Sequence, residues 1–195
     1  MTILIVTDIF GHTEHVNRFA NSLGRDVKVL SPYVEEPTNV TEAECYQFFL
    51  AQCGHQRFAE KVVAAIDALN PKLIIGFSAG GAAAWVALSE FSSVNSVEHL
   101  IAFYPSQLRN HLQHKPNCDV SIFFAQVEPH FDVEPVIDTL RCKKGVSCVR
   151  TRYLHGFMNK LSTNFDSYAY SHYQYFCQRE GRVSSTPVLA EPVTL

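Results

Sequence analysis

A serine that could act as a nucleophile lies in the sequence Gly76-Phe77-Ser78-Ala79-Gly80. The apolar run 73–75 precedes this Gly-x-Ser-x-Gly motif, and the alanine-rich segment 82–88 follows it. These residues predict a buried strand, a sharp turn and a helix, which is the order that a nucleophile elbow requires. Such a turn lifts the serine hydroxyl off the end of a sheet, and only glycine leaves room for the neighbouring backbone. The motif therefore predicts a catalytic serine at position 78.

The base that would activate this serine is expected among nine histidines. A serine hydroxyl becomes an effective nucleophile only when a base removes its proton and a third group orients that base. In hydrolases built around such an elbow, the acid and then the histidine follow the serine in sequence. His155 comes directly after the last predicted strand, whereas His172 falls on the apolar face of a predicted helix, which favours a buried structural role. His155 is therefore the expected base.

The orienting acid is expected between the serine and the histidine. Several acids in this interval are predicted on helices or before strands, away from the site: Glu90, Glu98, Asp119, Glu134 and Asp138. Glu128 and Asp132 remain, and both follow the strand predicted over residues 120–125. Asp132 directly precedes a helix, where an aspartate can serve as the N-cap. We therefore expect Glu128 to orient His155, with Asp132 as the alternative acid.

Two histidine pairs could in principle bind a metal ion. They are His12 with His15 and His111 with His114, each separated by two residues. Neither pair has a third ligand nearby with a recognisable spacing, and the six cysteines contain no Cys-x-x-Cys pair. We expect these histidines to be solvated surface residues, with no metal site and no cofactor.

The segments that would position these side chains alternate between strand and helix. Apolar runs predict strands over 3–6, 27–30, 73–75, 100–104, 120–125 and 146–154. Helical periodicity or capping signals predict helices over 14–23, 41–53, 58–69, 82–88, 134–140 and 165–176. This alternation indicates an α/β fold, a doubly wound and mostly parallel sheet of about six strands with helices on both faces. Chemistry in such sheets lies at the carboxyl ends of the strands.

Composition favours an ordinary globular domain. The 195 residues are 47% apolar and 18% charged, with a net charge of −3, which predicts one domain over residues 1–179 and a C-terminal tail over 180–195. No basic cluster is larger than Lys143-Lys144, so neither nucleic acid nor an anionic membrane is indicated as a partner. The N-terminal residues lack the pattern of a signal peptide, and we expect a cytoplasmic protein. A homodimer is left open.

Three segments match a known family. They are Asp-Ile-Phe-Gly at 8–11, Gly-Phe-Ser-Ala-Gly-Gly at 76–81 and His-Gly-Phe-Met-Asn at 155–159. On these segments the chain resembles the dienelactone hydrolase family of α/β-hydrolases, over nearly its whole length to about Gln178. The resemblance implies a minimal α/β-hydrolase fold, although the founding enzymes carry cysteine as the nucleophile.

The resemblance also implies roles for residues beside the serine and the histidine. The backbone N–H groups of Ile9 and Ala79 would form the oxyanion hole. Asp8 falls where the founding enzymes have a glutamate that contacts the nucleophile. We expect Asp8, Phe10 and Phe77 to line the substrate pocket.

These features together predict a serine hydrolase that cleaves a small carboxylic ester or lactone through an acyl-enzyme intermediate. A thioesterase or an acyltransferase would use the same residues. A non-catalytic binding protein with a hydrolase fold is the alternative from a different functional class.

Overall fold

Six parallel strands form one sheet in the computed structural model, which describes residues 1–24, 26–38, 40–91 and 96–183. The strands are β1 Ile3–Val6, β2 Val27–Leu30, β3 Leu73–Phe77, β4 His99–Phe103, β5 Asp119–Phe124 and β6 Val146–Arg150. The α-helices are α1 Glu14–Leu23, α2 Glu42–Gln52, α3 Gly54–Leu69, α4 Ala79–Val86, α5 Val133–Arg141 and α6 Ser167–Val183. A π-helical segment, Ala87–Phe91, continues α4, and a 3₁₀ helix, Ser106–Asn110, follows β4. The predicted α/β class and parallel sheet are confirmed.

The order of the strands creates a crevice at the carboxyl edge of the sheet. The order is β2-β1-β3-β4-β5-β6, so the chain starts inside the sheet, turns to one edge and then builds outward on the other side of β1. The connections that follow β1 and β3 therefore leave the sheet in opposite directions. The elbow serine follows β3, directly beside this switch point.

Alternating residues of the strands face two separate apolar cores. Ile3 and Ile5 pack with residues of α1 and α6 on one face, whereas Leu4 and Val6 pack with residues of the other four helices on the opposite face. This division follows from the two-residue period of a strand. Both faces of the sheet are covered, so the central strands are buried and read as continuous apolar runs. None of the described helices combines the length and the apolarity needed to cross a membrane.

Capping residues set the ends of the helices near the predicted positions. The hydroxyl of Thr41 accepts the N–H of Glu44, and the Glu44 carboxylate accepts the N–H of Thr41, which forms a capping box at the predicted start of α2. Asn70 ends α3 in the left-handed conformation at φ 49°. These local signals act over a few residues, which explains why the sequence alone predicts them well.

Strand β6 is shorter than predicted. The sequence favours a strand to Leu154, but β6 ends at Arg150. The hydroxyl of Thr151 accepts the N–H of Tyr153 at 3.2 Å, so a local side-chain bond replaces the next ladder bond. His155 consequently lies five residues beyond the strand, in a longer loop than predicted.

Helix α6 differs from the prediction in its length and in its buried face. It continues to Val183, four residues into the predicted tail, and residues 184–195 lie outside the described part of the chain. The buried positions are Ala169, Tyr173 and Cys177, whereas His172 is exposed, so its predicted buried role is wrong. The buried face therefore lies one position later along the helix than the predicted face that contains His172, and Tyr168, at 67% exposure, also lies outside it.

Candidate active site

Ser78 lies at a strained turn between β3 and α4. Its backbone adopts φ 47° and ψ −115°, a conformation that is rare for any residue with a Cβ. The N–H of Ser78 donates to the carbonyl of Phe103 on β4 at 2.9 Å, which ties the turn to the neighbouring strand. This conformation directs the chain straight from the strand into α4 and leaves the hydroxyl at the carboxyl edge of the sheet.

The glycines around Ser78 are required by close backbone packing. A Cβ on Gly76 would lie 2.5 Å from the Cα of Gly81. A Cβ on Gly80 would overlap the carbonyl oxygen of Thr7, the residue that follows β1. The predicted crowding of the elbow is therefore confirmed, and part of it comes from the neighbouring strand β1.

Ser78, His155 and Glu128 are connected by hydrogen bonds. Ser78 Oγ lies 2.9 Å from His155 Nε2, and His155 Nδ1 lies 2.8 Å from Glu128 Oε1. A carboxylate can only accept, so Nδ1 carries the proton and Nε2 is free to accept the proton of the Ser78 hydroxyl. The Glu128 side chain is 6% exposed and the His155 side chain 25%, so bulk water screens this pair only partly. The arrangement has the connections of a serine nucleophile, a base and an orienting acid.

Contacts to the backbone and to the ring of His155 hold the loop that carries it in place. Asn164 Nδ2 donates to the carbonyl of His155 at 2.9 Å. The ring of Tyr104 packs against the imidazole with 4.8 Å between ring centroids. Gly156 has φ 90°, and a Cβ there would collide with Ser162. The imidazole is thus supported by packing and by backbone contacts, in addition to its bond with Glu128.

Glu128 and Asp132 have different surroundings, although they are only four positions apart. The backbone of Glu128 forms an antiparallel bridge with Phe131, and its carboxylate contacts His155 Nδ1. Asp132 instead accepts the N–H of Glu134 at 3.1 Å and caps α5. The structure thus places Glu128 beside the histidine and Asp132 at the start of a helix.

Ile9 and Ala79 both line a cleft above Ser78, on opposite sides of the switch point. The carbonyl of Ile9 accepts the hydroxyl of Tyr33 at 2.6 Å and the thiol of Cys45 at 2.8 Å. Ala79 is the first residue of α4, where N–H groups lack partners within the helix. Sequence reasoning missed Tyr33 and Cys45, because no local pattern marks a side chain that anchors a distant backbone carbonyl.

The predicted pocket residues Asp8, Phe10 and Phe77 do not line the cleft. They are 4%, 7% and 7% exposed, so all three are buried. The Phe77 ring stacks on Phe103 with 5.3 Å between ring centroids, within the core that faces α1 and α6. The Asp8 carboxylate turns inward to accept the N–H of Phe10. The three side chains therefore stand outside the lining of this cleft, because adjacency to the motif in sequence does not decide which way a side chain points, and their role in substrate binding stays a prediction.

The cleft has a volume of about 490 Å³ and is lined by residues from seven segments of the chain. Glu42 and Tyr46 belong to α2, Arg109 to the 3₁₀ helix, and Phe131 to the loop after β5. The guanidinium of Arg109 lies 4.9 Å from the centre of the Phe131 ring. The cleft is therefore large enough for a small organic substrate, and its walls are partly charged.

The candidate metal-binding histidines make other contacts. His15 Nε2 bonds to the carbonyl of Met158 at 2.9 Å, and His111 Nδ1 lies 2.9 Å from Glu90 Oε1. Among the residues that the structure describes, no group of three or more His, Cys, Asp or Glu side chains is placed to hold a metal ion.

Comparison with known proteins identifies the fold. No family model matches the chain. The chain is 28% identical over 177 residues to the uncharacterised protein YczH of Bacillus subtilis (strain 168), and the match covers 84% of this chain and 84% of that protein. Solved structures with the same fold include a putative hydrolase of the α/β superfamily from Xanthomonas campestris pv. campestris, with 10% identity, a TM-score of 0.63 and coverage of 94% of this chain and 99% of that one.

Two esterases are also similar in structure. A Pyrobaculum calidifontis esterase has 16% identity and a TM-score of 0.55, with coverage of 92% of this chain and 76% of that one. The esterase Est2 of Thermogutta terrifontis, solved with butyrate bound, has 16% identity and a TM-score of 0.52, with coverage of 98% and 86%. The chain therefore has the α/β-hydrolase fold, while its resemblance to dienelactone hydrolases stays a prediction.

Proposed function

We propose that this protein is a serine hydrolase that cleaves a small carboxylic ester or lactone through an acyl-enzyme intermediate. The observation that carries the proposal is the chain of contacts from Ser78 Oγ to His155 Nε2 at 2.9 Å and from His155 Nδ1 to Glu128 Oε1 at 2.8 Å. The chain of contacts lies at the base of a cleft that also contains Ile9 and Ala79.

The reaction begins when the Ser78 hydroxyl attacks the ester carbonyl and His155 Nε2 takes its proton. The carbonyl oxygen becomes an oxyanion, which accepts hydrogen bonds from the N–H groups of Ile9 and Ala79. The Glu128 carboxylate stabilises the imidazolium that forms. The imidazolium then gives its proton to the leaving alkoxide as the C–O bond breaks, and the acyl group stays on Ser78.

Hydrolysis of the acyl-enzyme repeats these steps with water as the nucleophile. His155 accepts a proton from water, the hydroxide attacks the acyl carbonyl, and the returning proton releases Ser78. The product is a carboxylic acid, and the residues return to their starting protonation states.

The shape and charge of the cleft support a small substrate. A volume of about 490 Å³ suits a short acyl group and a small alcohol. The butyrate bound to Est2 supports the same size of acyl group. Glu42 and Arg109 in the walls disfavour a long aliphatic chain, because such a chain would remove water from charged groups without replacing their hydrogen bonds.

Labelling with a fluorophosphonate tests the proposal directly. The probe reacts with an activated serine, whose oxygen displaces fluoride from phosphorus. We expect the wild-type protein to be labelled and Ser78→Ala to lose both labelling and ester hydrolysis, by about 10⁴-fold or more in kcat. Ser106→Ala is the matched control, because Ser106 lines the same cleft but is not bonded to His155.

A wild-type protein that is neither labelled nor active on short esters would refute the proposal and favour a non-catalytic hydrolase-fold protein. Labelling that persists in Ser78→Ala would place the nucleophile elsewhere. Analysis of the products in the presence of an added alcohol distinguishes hydrolysis from acyl transfer.

A further inference from the structure

A buried carboxylate connects the two loops that flank Ser78. Asp8 follows β1 and is 4% exposed. Its Oδ1 accepts the N–H of Phe10 at 3.0 Å, and its Oδ2 accepts the side-chain amide of Asn159 at 2.7 Å. Asn159 is also 4% exposed, and 151 positions separate the two residues. The contact therefore joins the loop that contains Ile9 to the loop that contains His155.

On the Ile9 side, Asp8 helps to fix one peptide group. The carbonyl of Ile9 and the N–H of Phe10 belong to the same peptide. Tyr33 and Cys45 hold its carbonyl end, and the Asp8 carboxylate holds its N–H end. A rigid peptide on this side of Ile9 constrains the direction of the preceding N–H, the proposed oxyanion donor.

On the His155 side, Asn159 is held in one orientation. Its Oδ1 accepts the N–H of Leu161 at 2.9 Å, so its amide NH₂ points at Asp8. The backbone N–H of Asn159 donates to the carbonyl of Gly156 at 2.9 Å, one residue after His155. Displacement of Asn159 would therefore be transmitted to the loop that supports the imidazole.

The charge of Asp8 is held in place by these contacts. Burial raises the pKa of Asp8 from 3.8 to about 6, while the hydrogen bonds from Asn159 and Phe10 and the nearby His155 act in the opposite direction, and the carboxylate of Glu42 adds to the rise. Both oxygens of the carboxylate act as acceptors, which favours its ionised form. A buried charge is costly unless it is hydrogen-bonded, which gives these two bonds their importance.

We propose that Asp8 and Asn159 are positioning residues, whose hydrogen bond sets the Ile9 N–H and the His155 imidazole at the separation that the transition state requires. Neither side chain lines the cleft. This inference rests on the proposed serine hydrolase function.

Exchanging the two side chains provides a sharp test. In Asp8→Asn, an amide NH₂ faces the amide NH₂ of Asn159, which cannot turn without losing its bond to Leu161. In Asn159→Asp, two carboxylates face each other. In the double variant Asp8→Asn/Asn159→Asp, the amide now at position 8 accepts from Phe10 and donates to the carboxylate now at position 159, which still accepts from Leu161. Every hydrogen bond of the pair is then restored with the donor and acceptor exchanged.

The variants are compared by kcat and KM on a short chromogenic ester, with the active fraction counted by fluorophosphonate titration. We expect each single variant to lose at least about tenfold in kcat with little change in KM, because misplacement weakens the transition state rather than ground-state binding. We expect the double variant to recover to within about threefold of wild type. Asp26→Asn, at an exposed aspartate before β2, is the control and keeps wild-type values.

The outcomes separate this inference from the proposed function. The inference would be overturned if the single variants kept the wild-type kcat per active site, or if the double variant were no faster than the slower single variant. In both cases the activity of the wild-type protein would still support the proposed hydrolase function. If the loss of kcat in the single variants disappears after correction for the active fraction, Asp8 and Asn159 have a purely structural role and the inference is overturned. A wild-type protein without labelling or hydrolysis would overturn both.

Discussion

Replacement of Glu128 by glutamine removes the negative charge beside His155 while keeping the size of the side chain. The amide can meet Nδ1 in two ways. If its NH₂ group faces Nδ1, that nitrogen must accept, the proton moves to Nε2, and the imidazole can no longer take the proton of Ser78. If its oxygen faces Nδ1, the tautomer is kept but the charge that stabilises the imidazolium is lost.

The distances allow both losses to be estimated. A separation of 2.8 Å between Nδ1 and Oε1 places the centres of charge about 4 Å apart, which corresponds to about 4 kcal/mol at an effective dielectric constant of about 20. That energy is about 10³-fold in rate. The wrong tautomer costs about 10⁴-fold in kcat in the serine-protease template. We therefore expect Glu128→Gln to lower kcat by about 10³- to 10⁴-fold.

The assay is steady-state hydrolysis of p-nitrophenyl acetate, with circular dichroism to verify that the variants are folded. Asp132→Asn is the matched control, since asparagine is an equally good N-cap and can still accept the N–H of Glu134. We expect its kcat to stay within about twofold of wild type, with any effect confined to stability. A Glu128→Gln variant that keeps more than about a tenth of wild-type kcat would refute the reasoning. An Asp132→Asn variant with a similarly large loss of kcat would refute it as well.

Three further predictions concern stability and specificity. Because the pKa of Asp8 is raised to about 6, its contribution to stability is present below its unfolded value of 3.8 and is lost as pH rises through 6. As pH rises from about 4 to about 7.5, the free energy of unfolding of the wild type, measured in urea, should fall by up to about 3 kcal/mol relative to that of Asp8→Asn. A difference between the two proteins that does not change with pH would contradict this. Gly80→Ala should destabilise by about 3 kcal/mol because its Cβ meets the Thr7 carbonyl, whereas Gly181→Ala in α6, whose Cβ would meet the end of the Ile3 side chain at 3.3 Å, should cost less; equal losses in thermal unfolding would refute the packing argument. In a series of p-nitrophenyl esters, kcat/KM should fall at least about tenfold from butyrate to dodecanoate, and a rising series would contradict the charged character of the cleft.

The sequence by itself determined the features that depend on neighbouring residues. The order of strands and helices, the parallel α/β class and the elbow at Ser78 are all encoded by composition and periodicity over a few positions. The capping box at Thr41 belongs to the same group. Even the preference for Glu128 over Asp132 has a local basis, because Asp132 has a helix to cap.

Local patterns were less reliable where the path of the chain matters. Thr151 ends β6 early through its own side chain, and the buried face of α6 is shifted by one position from the predicted face. Asp8, Phe10 and Phe77 stand next to the motifs in sequence but are buried and do not line the cleft. Sequence adjacency predicts which loop a residue belongs to, and it leaves open the direction of the side chain.

Only the tertiary structure decided which distant residues meet. The bond between Ser78 and His155 spans 77 positions, the bond between His155 and Glu128 spans 27, and the bond between Asp8 and Asn159 spans 151. Each of these contacts depends on the order β2-β1-β3-β4-β5-β6, which brings the carboxyl ends of β1, β3, β5 and β6 to one edge of the sheet. Hydrogen bonds form only within about 3 Å, and distances of that size follow from the packing of the whole sheet rather than from any short stretch of sequence.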